Sequence, residues 1–253
     1  MSEQIIYDRW IFRIGGGAAI LGSLFAAVGN LLHPVTPRDD PEGVAQVIAQ
    51  SEHWTLIHLI IVLGIILMLA GLIAIRHSIE GGLPKALARL GFYAATVGVT
   101  VGLITVILDG VAAKQLADQW AMASESEKPV ALSLVSANET INFALAGLFN
   151  MSFAGVPFIL FGLAVALSHA YPRGLGWTAA AAGSGSIGAG LVQAFTGEPT
   201  MASLILTIIG PTVISLWLLV MGILLLRKAA RPALQAEAVP GFGHNQDSKV
   251  QVH

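Results

Sequence analysis

The chain has 253 residues, 55% hydrophobic and only 11% charged, with a mean hydropathy of +0.75. A soluble domain carries about 25% charged residues, and 13 basic plus 15 acidic side chains cannot cover the surface of a globule this long, which excludes a water-soluble fold. A net charge of −2 without a basic domain excludes nucleic-acid binding and disorder, while zero cysteines exclude disulfides, iron–sulfur clusters, thiolate zinc sites and cysteine nucleophiles.

What remains is an all-α integral membrane protein. A helix crosses about 30 Å of hydrocarbon with about 20 apolar residues. Six stretches free of Asp, Glu, Lys and Arg are long enough: Ile14–Pro37, Trp54–Ile75, Leu90–Leu108, Thr140–Pro172, Leu175–Gly197 and Pro199–Leu226. They are continuous Leu/Ile/Ala/Gly runs without the period-two alternation of a barrel strand.

The first span is predicted near 11–32. Charges precede it, but no clear small-x-small cleavage site follows, so it reads as a retained helix. Residues 33–53 follow outside the bilayer. Asp40 as N-cap and Pro41 at the first helical position predict a short helix over 41–50. The second and third spans are predicted near 54–76 and 88–109. Residues 110–140 mix apolar and charged positions at helical spacing. They predict that helices 3 and 4 run on beyond the bilayer and turn near Ser124–Pro129, forming with 41–50 a small outer helical cap. The fourth, fifth and sixth spans are predicted near 141–168, 175–196 and 204–227. The six-helix membrane domain is thus 1–231, and 232–253 is expected as a disordered cytoplasmic tail.

Six crossings place ten of the 13 Lys and Arg residues on one side: Arg9, Arg13, Arg76, Lys85, Arg89, Arg173, Arg227, Lys228, Arg231 and Lys249. Arg38, Lys114 and Lys128 fall on the other. That bias predicts N-in, C-in topology in the plasma (inner) membrane. Trp10, Tyr93 and Trp177 fit an inner aromatic belt and Trp54 the outer one. His77 and His169 fall at inner helix ends, where they can bond terminal carbonyls.

Two hairpins are alike. Gly71-Leu72-Ile73-Ala74 precedes Arg76-His77, then Leu90-Gly91-Phe92-Tyr93. Gly162-Leu163-Ala164-Val165 precedes His169, then Leu175-Gly176-Trp177-Thr178. The likeness predicts a parallel repeat of helices 2–3 and 4–5, although shared Gly/Ala/Leu composition accounts for it equally. Gly183-Ser184-Gly185-Ser186-Ile187-Gly188 spells a dinucleotide fingerprint. It lies inside the fifth span without a strand before it, so it reads as a small-residue packing surface.

Polar residues within spans carry the functional information. Counted from the inner end at 1.5 Å per residue, Asn30, His58, Asp109, Asn150 and Gln193 all lie about 26–30 Å along their helices. They form one layer beneath the outer headgroups. Asn30, Asp109, Asn150 and Gln193 share faces with small residues, which mark helix contacts, and are expected to point inward. His58 shares its face with Trp54, Ile61, Val62 and Ile65 instead. The five are candidate ligand-binding residues of an outward-facing polar pocket, with His33 and His53 at its mouth. Interhelical hydrogen bonding accounts for the same layer. His33, His53 and His58 are candidate metal ligands, since imidazole with carboxylate suits zinc, copper or iron. His53 and His58 lie about 140° apart on one helix, and no H-x-x-x-H motif occurs.

Three functions stay open. One is a multi-pass protein binding a small or lipophilic molecule. The second is a membrane enzyme acting on an apolar substrate, metal- or haem-assisted, with Asp109 as general acid or base and His58 beside it. The third is an accessory subunit that packs on a membrane partner or a second copy of itself through the Gly/Ala faces of helices 1 and 5. The few helix breaks, at Pro157 and Pro211, disfavour active transport. The pocket and enzyme readings both require His58 and Asp109 to meet.

Overall fold

The computed structural model describes residues 3–37, 40–197 and 200–237. They are almost wholly helical, with no strand among them. In chain order the helices are α1 (Glu3–Leu32), α2 (Pro41–Gln50), α3 (Trp54–Ser78) and α4 (Gly82–Ile107), followed by a π-helical turn (Leu108–Ala112) and α5 (Ala113–Met122). Then come α6 (Lys128–Phe149), a second π-helical turn (Asn150–Gly155), α7 (Val156–Leu167), α8 (Arg173–Thr196) and α9 (Met201–Glu237).

Five helical stretches among the described residues are long and apolar enough to cross a membrane: Glu3–Leu32, Trp54–Ser78, Gly82–Met122, Lys128–Leu167 and Ile205–Ala230. The fifth predicted span forms as α8 but is not one of them. Its Gly, Ser and Ala content dilutes the apolar character while serving contact: Gly176, Ala179, Ala180, Gly183, Ser186, Ala189 and Gly190 are buried, and the helix lies against α7 and α9. α9 runs to Glu237, beyond the predicted boundary at 231. The rest of the expected tail lies outside the described residues.

The small residues let helices touch backbone to backbone. A Cβ on Gly22 of α1 would fall 2.7 Å from Met68 N of α3, and one on Gly64 would fall 2.9 Å from Ala26 N. α1 and α3 therefore cross at van der Waals contact of their main chains, as small-residue membrane interfaces do. Gly16 of α1 meets α9 through the carbonyl of Gly222. Gly15, Gly16, Gly22 and Gly29 of α1 are thus used for contacts within the bundle. The dinucleotide-like run is likewise packing, with Gly183 against the Gly155 carbonyl and Ile159 N.

The main core is built from Phe12, Leu72, Ile75, Phe158, Phe161, Val165, Leu218, Met221 and Leu225. Trp217 belongs to it, and its indole donates to the Leu175 carbonyl at 2.8 Å. At the end of the bundle away from the cap, His77 bonds the Asp8 carboxylate at 2.8 Å rather than a helix-terminal carbonyl, because the start of α1 is alongside. Ser78 and Tyr171 share a hydrogen bond, and Lys228 donates to the Ser78 carbonyl.

The short helices of the expected cap form where predicted in the chain, packed together at one end of the bundle. Asp40 accepts from Gly43 N at 2.9 Å and Pro41 opens α2, as the N-cap signal predicts. Beyond the first π turn α5 and α6 form a hairpin whose turn is closed by Ser124 Oγ donating to Glu127 at 2.6 Å. That bond, with a second from Ser124 N at 3.2 Å, holds the Glu127 carboxyl below its ordinary pKa. Val44, Ile48, Trp54, Ala113 and Ala117 make a second small core under the cap. Trp54 corrects its predicted role. It is 1% exposed, so it anchors the cap instead of lying in an interfacial belt.

The helix breaks also differ from expectation. α9 runs on through Pro211. The Asn150–Gly155 π turn lies just before Pro157, whose ring and missing N–H disturb the preceding turn. The Leu108–Ala112 π turn has no proline and carries Asp109.

Candidate functional site

Three predicted residues converge under the cap: His33 in the loop after α1, His58 in the second turn of α3, and Asp109 in the first π turn. Each offers one ligand atom, and the three atoms lie within 4.8 Å of one another. His58 Nε2 is 3.1 Å from Asp109 Oδ2 and 3.2 Å from His33 Nε2, while His33 Nε2 is 3.9 Å from Asp109 Oδ2.

The other ring nitrogens set the tautomers. His58 Nδ1 lies 2.7 Å from the Trp54 carbonyl, and His33 Nδ1 lies 2.8 Å from the Pro34 carbonyl. A carbonyl only accepts, so each Nδ1 carries the hydrogen. Both Nε2 atoms of the neutral rings then present lone pairs to each other and to a carboxylate. Three acceptors facing one another repel, and the arrangement is satisfied only by positive charge at its centre, as protons or as a cation. His33 responds accordingly. Burial alone lowers its pKa, but the Asp109 carboxylate beside it outweighs burial, helped by the Pro34 carbonyl and by the charge of Glu139, and the net shift is upward.

The local fold holds this geometry. The π turn presents two backbone carbonyls to α3, where Trp54 Nε1 donates to Asp109 O at 2.7 Å and Thr55 Oγ1 to Gly110 O at 2.9 Å. Gly110 lies flat against His58. A Cβ there would be 2.3 Å from His58 Cβ and 2.7 Å from its Cγ, so only glycine allows α3 and the π turn this close. The rings of His33, His58 and Trp54 pack with pairwise centroid distances of 4.9 Å. The His58 side chain is 3% exposed, against 29% for His33 and 26% for Asp109, so the cluster opens outward past those two.

The separations suit a metal ion. Two donors about 2.0–2.1 Å from one ion, at a right or tetrahedral angle, lie roughly 2.8–3.4 Å apart. The 3.2 and 3.1 Å edges match, and the 3.9 Å edge needs a small swing of the half-exposed His33 ring. Backbone carbonyls on both Nδ1–H groups are the outer partners that metal-bound histidines use. A haem held between His33 and His58 does not fit. Its two axial nitrogens stand about 4 Å apart with the macrocycle between them, and 3.2 Å leaves no room for one.

The remaining predicted residues go elsewhere. Asn150 and Gln193 form a separate cluster, with Asn150 Nδ2 donating to Gln193 Oε1 and to Thr207 Oγ1, each at 3.1 Å. Asn30 does not point inward. It is exposed and bonds the Ala26 carbonyl of its own turn at 2.8 Å, because Gly29, one residue earlier, takes the contact with α3. His53 is exposed at the start of α3 and outside the cluster, as its angular offset from His58 requires. Trp54, Thr55, Gly110 and Thr207 are the participants that sequence reasoning missed. The adjacency of Asp109 and Gly110 was the one available signal, an acid in a span followed by a residue that permits close approach. No family model, curated protein or solved structure matches the chain. What fold and site define is a helical membrane protein with a histidine–histidine–aspartate cluster.

Proposed function

We propose that this is a multi-pass protein of the plasma membrane that binds one divalent transition-metal ion through His33 Nε2, His58 Nε2 and Asp109 near the outer membrane face. The single observation that carries the reading is the convergence of three lone-pair donors whose alternative hydrogen-bonding positions are already used by backbone carbonyls. Two imidazoles and a carboxylate suit zinc, iron or copper. Three protein donors leave at least one coordination position for water or a small ligand, reached past His33 and Asp109. In this reading Asp109 is a ligand, not a general acid or base, and the small molecule expected at the outer face is the ion with whatever completes its shell.

The topology in the proposal is six spans, N-in and C-in. α8 supports the sixth span, because 24 residues reach about 36 Å and both flanking helices in contact with it are apolar. The ten-to-three cation bias supports the orientation. The parallel repeat finds less support. Gly71 packs on Ala19 of α1, whereas its counterpart Gly162 packs on Ala180 of α8.

The test is metal titration of tag-free protein in detergent, with zinc or the spectroscopically visible cobalt ion. The expected result is one ion per chain, with protons released on binding and the site lost in His58→Ala. Equal binding by wild type and His58→Ala would overturn the proposal. A haem absorption band in the purified protein would redirect it to a porphyrin site outside the His33–His58 pair.

A further inference from the structure

At the opposite end of the bundle, α4 begins with a basic and apolar face that no other helix covers. Gly82, Lys85, Ala86, Arg89, Leu90 and Tyr93 line an open depression of about 470 Å³. Lys85, Arg89, Leu90 and Tyr93 are all exposed. Neither Lys85 nor Arg89 has an ion-pair partner among the described residues. Arg76, by contrast, rests on the Phe92 ring, and Lys228 donates to the Ser78 carbonyl. Above the two cations the same side of α4 continues as an exposed apolar track through Leu90 (57%), Tyr93 (56%), Val97 (63%) and Ile104 (51%).

The order of chemistry along this face is specific. Lys85 and Arg89 are one helical turn apart, so their charged ends reach one headgroup-sized region. Tyr93 stands a further turn toward the middle of the span, an aromatic with a hydroxyl at the level where chain meets headgroup. Val97 and Ile104 then lie about 12 and 22 Å beyond Arg89, at 1.5 Å per residue. A ligand matching all of this has an anionic head and an apolar tail at least that long. A soluble anion leaves the track unused, and a neutral lipid leaves both cations without a counter-charge.

We propose that the Lys85–Arg89–Tyr93 face of α4 is a binding site for a single anionic phospholipid, its phosphate between Lys85 and Arg89 and one acyl chain along Leu90, Val97 and Ile104. The site rests on the membrane placement of α4 but is independent of the metal cluster, which lies at the far end of the same helix.

The test is native mass spectrometry of the full chain released from nanodiscs containing equal parts of phosphatidylglycerol and phosphatidylcholine. The expected result is one retained phosphatidylglycerol per chain. Lys85→Gln with Arg89→Gln should reduce retention about tenfold or more, since each interfacial cation contributes on the order of a factor of five. Arg173→Gln, which removes a cation at the same end but off this face, should leave it unchanged. Equal retention of the two lipids by wild type would overturn the proposal, as would unchanged retention in the double variant or an equal loss in Arg173→Gln. Millimolar inorganic phosphate displacing the lipid would overturn it too, showing a site for free anions. Metal titration of the double variant reports whether it folds. If it does not, the wild-type comparison of the two lipids decides alone. Loss of lipid preference with metal binding intact separates failure here from failure of the metal reading.

Discussion

Two polar clusters in this bundle each adjoin a π-helical turn, and they are satisfied in opposite ways. Asn150, Gln193 and Thr207 pair donors with acceptors: an amide donates to a carbonyl oxygen and a hydroxyl oxygen at 3.1 Å each. Each bond joins a donor to an acceptor, and the cluster links the second π turn to α8 and α9. His33, His58 and Asp109 pair acceptors with acceptors once their tautomers are set by Pro34 and Trp54. Polar residues at matched depth and beside matched backbone irregularities are therefore not equivalent. The inventory of donors and lone pairs separates glue between helices from a cluster that needs a proton or a cation at its centre.

The largest expected effect follows from removing a donor from the acceptor cluster. His58→Ala should weaken zinc or cobalt binding by about 100-fold or more, beyond the 10- to 100-fold typical of outer partners of metal ligands. Zinc should raise the melting temperature of wild type, because a ligand that binds only the folded state stabilises it. It should also raise that of Asn150→Leu, and leave His58→Ala unmoved. Zinc stabilisation of His58→Ala equal to wild type, or its loss in Asn150→Leu, would erase the distinction between the clusters.

Gly110→Ala is the next test, and it touches no ligand. Its Cβ would enter the space of His58 Cβ and Cγ, so α3 and the π turn must part. We expect about tenfold weaker metal binding, measured by the same titration. Trp54→Phe removes the indole bond to the Asp109 carbonyl, and an effect of similar direction but smaller size is expected. Full affinity in both variants would show that the π turn does not position Asp109.

The legibility of the molecule in its sequence divides along the same line. α2 is legible because Asp40 and Pro41 encode a helix start in adjacent residues. Five spans and the α5–α6 hairpin are legible because hydrophobic runs and helical spacing are local. Asp109 is assigned inward correctly from Gly102 and Thr105, which are both buried. His58 escaped the same argument because its Trp54 face looks lipid-ready until the cap folds over it. Neither π turn has a local signature strong enough to read, apart from Pro157 beside the second. Yet one extra residue in a turn rotates everything after it by about 100°. Which polar residues then meet depends on helix positions that are 25 to 57 residues apart in the chain, as the His33–His58 and Asn150–Thr207 pairs are. The G-x-G-x-x-G run shows the converse: a motif complete in sequence carries no chemistry when it lies in a packed span.

The smallest effects belong to the self-satisfied cluster, and they test whether it is glue. Interhelical hydrogen bonds in membranes average about 0.6 kcal/mol. Thr207→Val removes one acceptor and should cost about that much. Asn150 donates to two partners and is buried, so Asn150→Leu leaves Gln193 Oε1 and Thr207 Oγ1 without it, and about 1–2 kcal/mol is expected. The double variant is the decisive measurement. If the three groups form one closed network, adding Thr207→Val to Asn150→Leu costs almost nothing further, because the shared donor is already gone. Strict additivity would mean that Thr207 has another partner and that the cluster is not closed. It would then resemble the histidine–aspartate cluster in having unmet capacity, and the contrast between the two π turns would have to be redrawn.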